Sequence, residues 1–581
     1  MFKKIQKIVT FRCVESALVV VASRGSTAAL SLSKKSEIEH LFIEATLICG
    51  RLKLVHNDLS NGEPQMARYK HYDYDQLMMV PVSLEEQLMP DTLEYAIHHV
   101  VEERLDLSMF DDRYGNDDTG RKAIDPKVLI KIVLFGYSRG LISSRSLERA
   151  CCENITFMAL ACGQKPDHST IAAFVSSMEK EIEPLFTKVL LICEEEGLLG
   201  GTHFSLDGLK LSSNASKEWS GNFGDLKKKQ EALDRKVKEA VREHRASDKR
   251  EGGKSDSDRL RGEKRIKRLK QRVDRIEKFL AENEPKIGAR GKEIQSNVTD
   301  NESAKLTSSH GVLQGYNANA IVDEKHQIVL HAEAFGKGED GTNMEPMLEG
   351  TKEKLEAIGW QEPLKNRQIS ADTGYYSVKN LEVCKDQEVD AYVPDPQFRK
   401  RDIRFADAGR HRRSVDKRKE RYKSKKRWFS VEDFKLDDRT GKLICPAGHG
   451  LYIRNRNFQT ADGYNAIAYQ ASKTACRDCQ LRSKCLRNTN TVSRQVHVFY
   501  GERPGSITDE MKRKIDTEEG RRIYSKRLGI VEPVFGNIRA CKRMDRFTLR
   551  GHIKVNIQWM LYCLVHNIEK IINFGKSYAM A

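Results

Sequence analysis

Five short β-like runs, at 203–206, 316–322, 327–332, 368–371 and 389–393, limit most strongly what this chain can fold into. Strands so widely separated can meet only through tertiary folding. The helix-period stretches between them predict a mixed α/β sheet flanked by helices. The longest interruption, 226–289, is a charged insertion. Its second arm steps through Ile266, Leu269, Val273, Ile276 and Leu280 at alternating three- and four-residue intervals. The first arm repeats the pattern with Leu233, Val237 and Ala240, and a polar, glycine-containing turn at 247–258 joins the two. Two such arms predict an antiparallel helical hairpin that hides its narrow apolar seams by self-pairing. Either a solvated spacer or a DNA-contacting arm fits that pattern.

Upstream, from 90 to 180, apolar residues recur at helical spacing, with breaks at Asp125-Pro126 and Lys165-Pro166-Asp167. This predicts an all-α domain over 66–200, with Asp167 or Ser169 capping a late helix. Arg139, Arg145 and Arg149 are its candidate DNA-gripping cations. At the other end, 553–572 is the most apolar segment, but Lys554, Asn556, Gln558, Asn567, Glu569 and Lys570 interrupt it. It reads as a core helix within a C-terminal helical part, 511–581, because a membrane span needs an unbroken apolar length. No membrane association is expected. Residues 1–65 are basic and acid-poor with a short apolar run at 17–22; they read as a leader, either a mis-assigned start or a disordered segment, with Met66 opening the ordinary domain.

With 581 residues, 39% of them apolar, the chain can bury several cores. Lysine and arginine outnumber acids 100 to 83, for a net charge of +17, which favours a polyanionic partner over a small-molecule substrate. The excess is concentrated at 397–428, where 15 basic residues face 4 acids. Arg412, Arg413, Lys425, Lys426 and Arg427 lie there as candidate phosphate contacts, with Phe398, Phe405, Tyr422 and Trp428 as candidate stacking platforms. A solvated basic loop is the alternative. The 13 cysteines, several of them isolated in apolar stretches, do not form a secreted disulfide framework, so a reducing, cytoplasmic setting is expected.

Two motifs carry chemistry. Asp207 closes the run HFSLD before Gly208, and Asp372 closes RQISAD before Thr373-Gly374-Tyr375-Tyr376; Glu532 lies in the helical, cation-rich RRIYSKRLGIVEPVFGNIR. An isolated aspartate at a strand end is ordinarily a cap or turn former. Three carboxylates brought together by folding would instead suit hard divalent cations. Within 394–510, Cys445, Cys476, Cys479 and Cys485, with His449 as a substitute, match the ligand chemistry of structural zinc; reduced cysteines without metal are the alternative.

The phrases SLDGLKLSSNAS, GYNANAIVDEKHQIV, ISADTGYYS and VEPVFGNIR resemble, in order, the core blocks of bacterial insertion-sequence transposases of the DDE class. The stretch from IDPKVLIKIVLFGYSRGL to PDHSTIAAF resembles the N-terminal domain of the same branch, and the resemblance runs from about Met66 to Asn573. It implies an RNase H-like core over 201–393, with the hairpin inserted at 222–290, and a basic, cysteine-rich insertion at 394–510. It also implies Mg²⁺ or Mn²⁺ held by Asp207, Asp372 and Glu532, and DNA, both element ends and target, as partner to a homodimer or larger assembly associated with the bacterial nucleoid. Tyr524, Arg527 and Arg539 fall where the family carries a tyrosine, an arginine and a basic residue around the glutamate. The sequence departs from many relatives in one respect, with four residues rather than three between Arg527 and Glu532. A transposase-derived regulator that no longer cuts, or a metal-dependent nuclease that does not join, are the competing functions.

Overall fold

The computed structural model describes residues 10–14, 17–22, 26–30, 83–114, 122–248, 256–288, 291–308, 311–405, 428–460, 464–488, 490–500 and 506–576. The first three segments pair as an antiparallel sheet within a separate unit, Met1–Pro81. The rest of the expected leader lies outside the described residues. So do Arg412, Arg413, Lys425, Lys426 and Arg427.

In the second unit the main sheet is built from β1 (His203–Ser212), β2 (Ala304–Ser308), β3 (Gly311–Asp323), β4 (Val329–Phe335), β5 (Gln368–Ala371) and β6 (Asp390–Tyr392). The order β6-β5-β1-β3 is extended by β2 and β4, which both pair with the long β3. β1, β5 and β6 run parallel, whereas β3 is antiparallel to β1, β2 and β4. The sheet is therefore mixed. β2 has no counterpart among the runs legible in sequence, because its polar AKLTS lacks an apolar stripe.

The upstream helices include α1 (Leu93–His99), α2 (Pro126–Ser138), α3 (Ser144–Glu153), α4 (Ile155–Leu160), α5 (His168–Ser176) and α6 (Ile182–Glu195). Of the two candidate caps, Asp167 starts α5, accepting the backbone N–H groups of Ser169 and Thr170. Arg139, Arg145 and Arg149 are exposed. Arg139 pairs with Glu94 at 3.4 Å.

The insertion consists of α7 (Phe223–Asp248) and α8 (Asp256–Glu282), packed together through Leu226, Leu233, Val273, Ile276 and Phe279. Downstream come α9 (Met344–Ala357), α10 (Val378–Asp386), α11 (Ile507–Asp516), α12 (Glu518–Gly536) and α13 (His552–Phe574).

Helix α13 joins the helical segment to the sheet. Tyr562 stacks on Tyr137 of α2 with ring centroids 4.6 Å apart, and one continuous apolar core runs through both regions. The polar residues that interrupt the apolar pattern of α13 have defined tasks. Asn567 donates to Val329 O and accepts from Val329 N, both at 2.9 Å, and Asn556 accepts from Ala334 N at 2.6 Å. Eleven residues make about three helical turns, so both asparagines point the same way. They satisfy backbone groups on the outer side of β4, where a strand edge would otherwise be buried unpaired. Among the described residues no helix is long and apolar enough to cross a membrane.

A second sheet, an antiparallel meander, comprises β7 (Lys435–Asp437), β8 (Lys442–Ile444), β9 (Gly450–Gln459), β10 (Asn465–Gln470) and β11 (Gln495–Phe499). It encloses its own small core of Phe434, Leu443, Leu451, Tyr469 and Val496.

Candidate active site and cysteine cluster

β1 and β5 run parallel in a register that pairs Leu206 with Ala371. The next residue on each is an aspartate, Asp207 or Asp372, so the two side chains leave the same face of neighbouring strands about 5 Å apart. Asp372 follows the last residue of β5, as its setting in the sequence suggests. Asp207 does not end its strand: β1 continues to Ser212, because the long β3 keeps pairing with it through Gly208 and beyond. Pairing overrides the poor strand propensity of Asp-Gly. Beneath the aspartates, His203 Nε2 and Ser205 Oγ each lie 2.9 Å from Ser370 Oγ, tying the two strands together.

Arg527 of α12 reaches over this pair. Its guanidinium donates to Asp207 Oδ2 at 2.6 Å and stands 3.8 Å from Asp372 Oδ1. Burial pushes the Asp207 carboxyl above the usual carboxylate range, against the opposing pull of Arg527. Burial likewise opposes the charge on Arg527, but Asp207, Tyr524 and Asp372 more than offset it and raise its pKa. Tyr524 is buried edge-on against Phe398, ring centroids 5.3 Å apart, with Arg527 5.7 Å from its own ring. Both rings therefore build the wall behind Arg527. Phe398 belongs to the core and is not a free stacking platform.

Glu532 sits on α12 five residues beyond Arg527, about 140° further round the helix. Its side chain is exposed, and among the described residues it makes no hydrogen bond or ion pair. Val531, one position earlier, occupies the buried face. The extra residue between Arg527 and the glutamate thus has a geometric consequence: the structure brings Asp207, Asp372 and Arg527 together and leaves Glu532 turned away. Among the described residues, no three His, Cys, Asp or Glu side chains stand around one cation position. Helix α12 carries an irregularity beside Glu532. Pro533 has no N–H to offer Gly529 O, four residues back, and Gln327 Nε2 donates to that carbonyl at 3.0 Å instead. Beyond Gly536 the chain winds into a wider π-helical turn, Asn537–Cys541, which takes Arg539 off the regular two-turn offset from Glu532. Arg539 is exposed, 4.0 Å from Asp545.

Four residues beside the aspartates escaped sequence reasoning. Tyr375 is buried, and burial, reinforced by Asp340, Asp207 and Asp372, pushes its hydroxyl pKa far up. Asn319 donates to that hydroxyl, and Asn317 donates to Asp340 Oδ1 at 2.6 Å. The signal was the NAN alternation in β3, which puts two asparagines on one face. Their Oδ1 atoms crowd Gly208: a Cβ there would lie 2.7 Å from one and 3.2 Å from the other, so a larger residue would have to displace the Asn317 amide.

The cysteine cluster belongs to the meander. Cys445 follows β8 in a tight turn closed by Gly448, whose φ is +81°, and its sulfur accepts the backbone N–H of His449 at 3.3 Å. Cys445, Cys476, Cys479 and Cys485 line one cavity of about 30 Å³. Burial raises the Cys485 thiol pKa and the three other thiols raise it further, while Arg494 opposes them. His449 borders the cavity but is exposed. The donors are of the type zinc takes, and a cavity of this size admits about one water. All four are free thiols, and their sulfurs are not drawn into a coordinating set.

Comparison with known families gives two matches. A model described as a transposase DDE domain matches residues 444–572, and one described as a transposase domain (DUF772) matches residues 82–177. Neither the curated proteins nor the solved structures yield a match. The DDE match includes Glu532 and the four cysteines but stops short of Asp207 and Asp372, so the grouping of those two rests on strand register. The two matched segments, one in the helical region and one ending in α13, support an insertion-sequence transposase of the DDE class.

Proposed function

We propose that this transposase cleaves DNA at the ends of its element and joins the exposed 3′-hydroxyl to target DNA. The observation that carries this reading is the Asp207–Asp372 pair, in register on neighbouring parallel strands and sharing one guanidinium. Two carboxylates spaced to share a positive charge suit hard cations, whose oxygen-ligand chemistry they match. Divalent ions such as Mg²⁺ or Mn²⁺, when bound there, supply Lewis-acid stabilisation of the oxygens entering and leaving phosphorus. In their absence Arg527 offsets part of the pair's negative charge and keeps the two carboxylates aligned. Glu532 is the third acid of the proposed site; it would join when DNA binding shifts α12, whose backbone is already interrupted at Pro533. The strand order β4-β3-β1-β5-β6, with the first three antiparallel and the last three parallel, supports an RNase H-like reading of the core. Cys445, Cys476, Cys479 and Cys485 are the proposed ligands of a structural zinc that would fasten the meander. Two DNA ends require at least two copies of the chain acting together.

The test uses the full chain, Mg²⁺ and duplexes ending in the inverted repeats that flank its coding region. Cleaved and joined products are expected. Asp207→Asn or Asp372→Asn should abolish both while end binding persists; normal cleavage by either variant would refute the assignment. Hydrolysis without joining would make the chain a nuclease, and normal cleavage by Glu532→Gln would remove Glu532 from the site.

A further inference from the structure

The hairpin insertion carries a charge distribution that its own stability does not require. Its apolar seam is occupied by self-packing, with Leu226, Leu233, Val273, Ile276 and Phe279 buried between the arms. Trp219, at the base, is flanked by Lys229, Arg272 and Arg275, each within 5.5 Å of its ring centroid. Those cations have a packing role. The stretch between Lys264 and Arg272 differs. It holds six cations, Lys264, Arg265, Lys267, Arg268, Lys270 and Arg272, and no acid. On a helix this covers about 12 Å of axis. Arg265 and Arg272 lean toward Glu243 and Glu218 at 3.7 Å each, while Lys264, Lys267, Arg268 and Lys270 are exposed and form no ion pair with a described residue. An arm that merely needed solubility would intersperse both signs, since unbalanced neighbouring cations repel and weaken the helix.

We infer that this face of α8 is a phosphate-tracking surface, with Lys264, Lys267, Arg268 and Lys270 gripping the backbone of duplex DNA without reading its sequence. Charge complementarity is the argument: duplex DNA presents one negative charge per about 1.7 Å of axis, so a 12 Å run of cations faces several phosphates. The inference rests on the transposase reading and locates where DNA is held outside the carboxylate site.

The experiment measures binding of the full chain to a random-sequence duplex of about 30 base pairs over a range of salt concentrations. It compares wild type with the K264Q/K267Q/R268Q/K270Q variant; glutamine keeps helix propensity. Loss of four contacts should flatten the slope of log K against log salt by about 3–4 and weaken binding on the order of 10- to 1000-fold near 0.1 M salt. The variant K264R/K267R/K270R should bind as wild type does. An independent readout on unaltered protein is amine acylation, with Lys264, Lys267 and Lys270 protected by DNA. Unchanged slope and affinity, or no protection in a wild-type complex that forms, would overturn the inference. A wild-type chain that does not bind DNA would instead overturn the transposase reading itself.

Discussion

Replacing Arg527 with methionine keeps most of the side chain's length and removes its charge, leaving Asp207 in a site that already disfavours its ionised form. Arg527 is 7% exposed, Asp207 22% and Asp372 45%, so this is a partly buried ion pair with a wetter third member. Breaking a fully buried pair typically destabilises by 3–5 kcal/mol; the remaining solvent contact of both aspartates lowers the expected loss to about 2–3 kcal/mol at neutral pH. The pH dependence has a definite sign. Asp207 has a folded pKa above its unfolded value of 3.8. Its favourable contribution is therefore complete below pH 3.8 and is lost as pH rises through the folded value. Removing Arg527 lifts that folded value further, so the deficit of Arg527→Met should be small near pH 4 and grow toward pH 7. The assay is the calorimetric unfolding midpoint of wild type, Arg527→Met, Asp207→Asn and the double variant at several pH values. Asp207→Asn should relieve most of the Arg527→Met loss, because no buried charge then lacks a partner. A deficit independent of pH, or a double variant no better than Arg527→Met, would refute the reasoning.

Two further outcomes follow from the packing and from the thiols. Asn567→Leu should destabilise the chain by about 2–4 kcal/mol, since both backbone groups of Val329 would stay buried without partners; hydrogen exchange should quicken first along β4. Cys476→Ser combined with Cys479→Ser should remove bound zinc, measured by atomic absorption, and increase proteolytic cutting within 428–500; a wild-type protein purified without zinc, its four thiols all freely titrated, would refute the metal assignment.

The sequence by itself marked the helices and most strands of the main sheet, but not β2 or the strands of the meander. Helical period marked the arms of the hairpin and the last helix, where Val273, Ile276, Leu561 and Leu564 are buried. Local apolar content marked the strands at 203–206 and 368–371, and Asp372 followed its strand as read. What stayed hidden depends on register and rotation, which residue type does not encode. Pairing with β3 carried β1 past Asp207, and the same partner strand set Asn317 and Asn319 over Gly208. The five-residue step from Arg527 to Glu532 turned the glutamate about 140° from the arginine, because a helix advances about 100° per residue. The polar interruptions of α13 became partners for a strand edge only once that edge was present. Periodicity states which face is apolar; only the assembled sheet decides which acids share a cation and which remain in solvent.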